Sequence, residues 1–195
     1  MDNYLQYLVF VGAGIHLIGT FDYIKATING KTKPNRVTWL LWSISPLIGA
    51  FASIANGFNL ASIPVFTIGI VTFLVFIASF VNKNAYWKLS KFDYTCGVFS
   101  ALALILWVIT DNPLIAIIFA IISDILAGIP TLIKIYKFPQ TETITPYITG
   151  IISSFSSLFA IKLWVLTEIS FPIYLILIQS LHLSVFIYSK YWNKS

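Results

Sequence analysis

Charge is what this sequence most lacks. Only 10% of its 195 residues are charged, against roughly 25% in an ordinary soluble domain. There is too little polar surface to cover a water-facing globule, which excludes a soluble enzyme or carrier. Cysteine is nearly absent: Cys96 stands alone, so an intrachain disulfide and a Cys-rich metal centre are both excluded. There are two histidines, with no His-x-x-x-His or Glu-x-x-His pair. An intramembrane metallohydrolase would need about three ligands, so no metal, no cofactor and no enzymatic activity are expected. Met1-Asp2-Asn3 lacks the basic opening of a signal peptide, and no small-residue cleavage pattern ends the first apolar run. That run is expected to remain as a helix. No linker is long enough to separate two domains.

What the sequence has instead is apolar length. Hydrophobic residues make up 58% and mean hydropathy is +0.87. Windows of about 20 apolar residues predict spans near 4–28, 37–56, 60–81, 93–110, 113–135, 144–165 and 170–189. The expected fold is an all-α membrane protein of seven transmembrane helices. Its connections are short and rich in Gly, Asn, Pro or charge, as at NGKTKPNR, Gly57-Phe58-Asn59, Asp111-Asn112 and YKFPQTET.

The basic residues supply orientation. Lys25, Lys31, Lys33 and Arg36 flank the first connection, and Lys83, Lys88 and Lys91 lie in the third. Lys134 and Lys137 flank the fifth, while Lys190 and Lys194 occupy the tail. These eleven of the twelve fall on one side; only Lys162 lies toward the other, where snorkelling accounts for it. The positive-inside rule makes the basic side cytoplasmic. The N-terminus, Asp111 and Glu168 are then outside, the C-terminus is cytoplasmic, and the expected location is the cell membrane. The net charge of +5 is thereby a topology signal. No basic patch interleaves with exposed aromatics, so nucleic acid is not an expected partner.

A weak internal repeat follows. FDYIKATINGKTKPNRVTWLLWSISPLIGAFA, from Phe21, and LAGIPTLIKIYKFPQTETITPYITGIISSFSSLFA, from Leu126, share a helix, a short basic loop with a proline, a threonine and then small residues. Thr38 falls on Thr145 at an offset of 107, and Pro34 on Pro139 at 105. Three helices, a linker helix and three more helices place both triplets the same way up. The expected division is a first three-helix repeat over 1–92, a linker helix over 93–112 and a second repeat over 113–195. Parallel repeats are a transporter architecture, with the solute held between them near the midplane.

With these features the sequence resembles the PQ-loop/SWEET-like superfamily of small membrane transporters. The clearest motif match is PTLIKIYKFPQTET, Pro130 to Thr143, where Pro130-Thr131 stands in place of the family's Pro-Gln; the literal Pro139-Gln140 lies in the loop. In the first repeat Tyr23-Ile24 holds the equivalent place, without the proline. The resemblance implies alternating access through helices that flex at prolines, with sugars, amino acids or vitamins as substrates. The expected function is transport of a small polar solute, by a protein whose partners are that solute, the lipid bilayer and, compatibly, further copies of itself. The alternative is a membrane scaffold or partner-binding subunit without transport.

Several residues could carry the function. Asp124 sits mid-way along the fifth span, where a carboxylate costs about 2.5–3.5 kcal/mol on insertion scales. It marks a solute or proton site, or it is a protonated side chain joining two helices. His16 lies at nearly the equivalent depth of the first span, as a ligand-binding group or a helix contact. Gly12, Gly19 and Tyr23 continue its face. His182 and Gln179 are weaker candidates of the same kind. Trp39, Trp42 and Tyr147 begin their spans beside basic loops, where they anchor at the interface or stack on a solute. Ser153, Ser154, Ser156 and Ser157 pack helices closely or line a polar path. Pro46, Pro130 and Pro146 are candidate hinges.

Overall fold

The computed structural model describes residues 4–55, 60–110 and 113–191. Asp2, the Gly57-Phe58-Asn59 turn, Asp111 and Lys194, which entered the topology reading, lie outside the described residues. Among those described the chain is all-helical, with α1 Leu8–Ile28, α2 Arg36–Ala55, α3 Ser62–Ala78, α4 Lys91–Val108, α5 Pro113–Lys137, α6 Thr145–Ser157 and α7 Leu166–Tyr191. Short 3-10 turns lie at Tyr4–Tyr7, Lys83–Ala85, Pro139–Thr141 and Leu158–Ala160.

The helix ends follow local chemistry. α1 stops where Gly30 adopts φ of 73°, a left-handed conformation that glycine takes without a Cβ penalty. α2 starts under Asn35, whose Oδ1 accepts from the Val37 and Thr38 amides at 3.1 and 3.4 Å. α4 opens on a reciprocal cap. The Asp93 amide donates to Ser90 Oγ at 3.3 Å, and the Ser90 amide donates to Asp93 Oδ2 at 2.6 Å. The side chain of Asn35 also donates to Asp93 Oδ1 at 2.5 Å, tying the starts of α2 and α4 together.

Two expectations shift. The sixth span, predicted over 144–165, is helical only from Thr145 to Ser157 and then narrows into the turn Leu158–Ala160. Thirteen α-helical residues rise about 20 Å, short of the roughly 30 Å hydrocarbon layer. Three helical stretches, Tyr4–Ile28, Ile117–Lys137 and Glu168–Tyr191, are long and apolar enough to cross a membrane, and Ser62–Ala78 is a shorter apolar helix. The second shift concerns Pro146. It occupies the first turn of α6, where a missing N–H costs no internal bond, so it frees no carbonyl inside a helix. Pro46 and Pro130 do lie inside α2 and α5, and Pro172 lies inside α7.

The surface polarity is inside out. α1 turns Leu17, Ile18 and Phe21 outward and buries His16, Thr20 and Tyr23. Ile105, Val98 and Leu177 are likewise exposed on α4 and α7. A water-facing helix would reverse this arrangement.

α3 packs against both α1 and α2, and α7 packs against both α5 and α6. α1 also lies on α6, and α2 on α5. The six form a closed ring in the order α1, α3, α2, α5, α7, α6, and α4 packs on the outside against α5 and α2. The first, third and fifth connections meet at one end. The Lys33 amide donates to the Thr141 carbonyl at 2.9 Å, Asn82 Nδ2 to the Ile28 carbonyl at 2.8 Å, and Trp87 lies edge-on to Phe138 at 5.6 Å. Ser189 Oγ reaches the Tyr136 carbonyl at 2.5 Å, bringing the end of α7 to the same place.

The α1–α6 seam depends on glycine. A Cβ at Gly12 would fall on Ser156, and one at Gly19 would fall on Thr149, whereas Gly14 faces open space. Gly19→Ala is expected to destabilise the protein by about 1–3 kcal/mol through overpacking. Gly14→Ala should leave its thermal unfolding unchanged or slightly raised. Equal melting temperatures for the two variants would mean that the seam yields.

Candidate functional site

A cavity of about 50 Å³ lies inside the ring. His16 and Thr20 reach it from α1; Trp39, Trp42 and Pro46 from α2; Ile68 and Thr72 from α3. From the other side come Asp124 of α5, Pro146 and Tyr147 of α6, and Leu175, Ile178, Gln179 and His182 of α7. All five expected solute-binding residues, Asp124, His16, Trp39, Trp42 and Tyr147, therefore meet in one place. So do the two weaker candidates and two of the three prolines; Pro130 is buried in α5 but does not line the cavity.

The aromatic groups form a connected wall. Tyr147 stacks on His182 with ring centroids 5.2 Å apart and planes within 8°. Trp42 meets the other side of the cluster, edge-on to His182 at 5.3 Å and to Trp39 at 5.6 Å. Trp39 is 2% exposed and rests against Tyr23 at 4.8 Å. That burial rules out interfacial anchoring for Trp39, since a belt residue keeps its ring at the headgroups. Trp42 Nε1 donates to the Asp124 carbonyl at 3.2 Å, fastening α2 to α5 beside the cavity.

The Asp124 carboxylate accepts from the Tyr174 hydroxyl at 2.6 Å, linking α5 to α7. His16 Nδ1 lies 3.2 Å from Thr149 Oγ1, and that hydroxyl donates to the Thr145 carbonyl at 2.9 Å. His182 Nδ1 lies 2.8 Å from the Ile178 carbonyl, which can only accept. A neutral His182 thus carries its proton on Nδ1 and leaves Nε2 as an acceptor.

Polar atoms are left over. His16 Nε2, His182 Nε2, Thr20 Oγ1, Trp39 Nε1 and the Tyr147 hydroxyl are buried without a hydrogen-bond partner, and every one of those residues lines the cavity. A buried polar group without a partner costs about 1–3 kcal/mol. Ser45, Thr143, Ser153, Ser154 and Ser157 also carry buried hydroxyls without a partner, and none of these residues lines the cavity.

Sequence reasoning missed Thr20, Thr72, Ile68, Leu175 and Ile178, and also Tyr174 beside Asp124. Ile68 and Leu175, Thr72 and Gln179, and Trp39 and Pro146 are pairs 107 positions apart in which both members line the cavity. Sequence reasoning also missed Glu142. Lys134 was counted as a basic flank, but it is buried against Glu142 in an ion pair. Among the described residues no group of three or more His, Cys, Asp or Glu could hold a metal ion. The chain matches no known protein family, no curated protein and no solved structure.

Proposed function

We propose that this protein is a multi-pass membrane transporter that carries a small polar solute through the central cavity by alternating access. The carrying observation is one cavity between the helices at which Asp124, two histidines and three large aromatic residues converge from segments far apart in the chain.

The ring supports two parallel repeats of the PQ-loop/SWEET-like kind. Exchanging α1, α2 and α3 for α5, α6 and α7 maps the ring onto itself, α1 on α6 becoming α5 on α2. Trp42 and Thr149 then correspond at 107, and Asp124 lies one residue beyond Ser123, the counterpart of His16 at that offset. Each seam is bridged by a hydrogen bond, His16 with the Thr149 hydroxyl on one and Trp42 to the Asp124 backbone carbonyl on the other. α4 lies outside the ring, where a linker helix belongs. On this reading seven helices cross the cell membrane, α6 being completed by the turn after it. The basic end faces the cytoplasm. Pro46 and Pro130 are the interior prolines at which the halves bend.

Two measurements test this. Purified protein in proteoliposomes should show counterflow of at least one member of a panel of small polar solutes, absent from empty vesicles. In a Cys96→Ala background, Leu163→Cys should react with an impermeant thiol reagent outside whole cells, and Lys88→Cys only after permeabilisation. Labelling of Lys88→Cys from outside would reverse the orientation, and no counterflow across the panel would leave the scaffold reading.

A further inference from the structure

The charge inventory of the cavity narrows the solute. Asp124 is the one charged side chain among the described residues lining it, and none of those residues is Lys or Arg. An anionic solute would therefore meet a carboxylate and no cation, a repulsive arrangement in a low-dielectric site. Phosphorylated compounds and carboxylic acids are disfavoured while Asp124 is ionised.

The remaining groups favour the opposite sign. The Asp124 carboxylate is an acceptor set in a wall that is otherwise mostly apolar and aromatic, so the occupant needs one donating, cationic edge and a face that packs on rings. Trp39, Trp42 and Tyr147 supply aromatic rings, which attract an organic cation through their quadrupoles. A volume of about 50 Å³ has room for roughly four water-sized groups.

The groups facing Asp124 are few. α7 presents the Tyr174 hydroxyl, which donates to it, and His182; α1 presents His16 across the cavity; α6 presents Tyr147. α2 presents Trp39, Trp42 and Pro46, none of which titrates. α4 meets α5 through Ser100 and Ser123; its titratable groups are Lys91, Asp93, Tyr94 and Cys96, toward its start. Among the described residues no cation forms an ion pair with Asp124. A carboxylate buried in this way needs a proton or a bound cation to neutralise it.

We propose that the cavity binds a small, flat organic cation, of the guanidinium or amidinium class, on Asp124 against the aromatic rings of Trp39, Trp42 and Tyr147, and that Asp124 exchanges this cation for a proton. The inference rests on the transport reading above. In each cycle Asp124 releases one proton as one monovalent cation binds, and takes up one proton as the cation leaves. The site stays neutral in both crossings, so the exchange moves one cation against one proton with no net charge.

The test uses purified wild-type protein with guanidinium and acetamidinium chlorides at low millimolar concentration, and urea and acetamide as uncharged isosteres. Both cations should raise the melting temperature and the neutral compounds should not, because a ligand that binds only the folded state stabilises it. Protons should compete: once Asp124 is protonated, apparent cation affinity should fall ~10-fold per pH unit. In proteoliposomes a cation gradient should drive proton movement the other way, unaffected by clamping the membrane potential. Asp124→Asn should lose the cation response. The wild-type pH competition tests the same point should that variant fold poorly. Equal stabilisation by urea or acetamide overturns the cation assignment while leaving transport intact. Cation binding equal at pH 5 and pH 8 overturns proton exchange. No shift with any of the four compounds rejects the proposal, while counterflow of another solute would still uphold the transport reading.

Discussion

Glu142→Ala should cost about 3–5 kcal/mol of stability, the largest loss expected from a single substitution in this protein. Lys134 and Glu142 form an ion pair in which both side chains have no solvent exposure. Each is fully engaged. Glu142 accepts from the Tyr23 hydroxyl at 2.7 Å, Lys134 also donates to the Lys33 carbonyl, and the Lys134 ammonium lies 5.1 Å from the Trp87 ring. Removing the carboxylate leaves a buried ammonium without its counter-ion and a tyrosine hydroxyl without its acceptor. Thermal or denaturant unfolding in detergent would measure the loss. The double variant Lys134→Met, Glu142→Leu should recover most of it, because the unpaired charge rather than the missing attraction dominates the cost. A loss below about 1 kcal/mol for Glu142→Ala would place the pair in water, where ion pairs are worth little. The cluster also joins the two triplets, since Tyr23 belongs to α1 and Glu142 precedes α6. Tyr23 touches Trp39, so this junction lies one layer from the cavity, toward the basic end.

Tyr147→Phe combined with Thr20→Val should move stability and function in opposite directions. Both hydroxyls are buried, both line the cavity and neither has a partner. Replacing them with apolar groups of nearly the same shape removes two unsatisfied polar atoms. The empty protein should melt at the same temperature or higher, each hydroxyl having cost about 1–3 kcal/mol to bury. Solute affinity should fall roughly 10- to 100-fold, since a hydrogen bond to a ligand is worth about 0.5–1.5 kcal/mol and more when the ligand is charged. Differential scanning fluorimetry and proteoliposome counterflow on the same preparation would read both quantities. A lower melting temperature with unchanged counterflow would make the hydroxyls part of the packing and remove them from the site.

The helices were legible because each is announced locally. Apolar length identifies a buried or lipid-facing helix, and Gly30, Asn35 and the Ser90–Asp93 cap mark where helices end and begin. The seven predicted stretches agree with the seven helices to within a few residues at most boundaries. The exception is the end of α6, where a serine-rich run turns 3-10 while its hydropathy continues. Asp124 and His16 stood out by depth alone, because a polar group far along an apolar run has to be explained wherever the helix packs.

Adjacency was not legible. Placing α3 between α1 and α2, and α7 between α5 and α6, depends on which faces fit, as where Gly12 and Gly19 admit Ser156 and Thr149. Hydropathy is the same on every lipid-soluble face and cannot choose between them. The same limit hid the partnership of Lys134 with Glu142. A lysine at a helix end reads as a topology charge unless the chain brings a carboxylate back over it. The structure alone withdrew Pro146 from the hinges, because one residue of displacement separates a helix interior from its first turn. By itself the sequence determined where the chain is helical, which of its ends is basic and which polar groups are deep. The tertiary structure decided that those polar groups share one cavity, because convergence is set by packing between segments more than a hundred residues apart, and no local pattern encodes it.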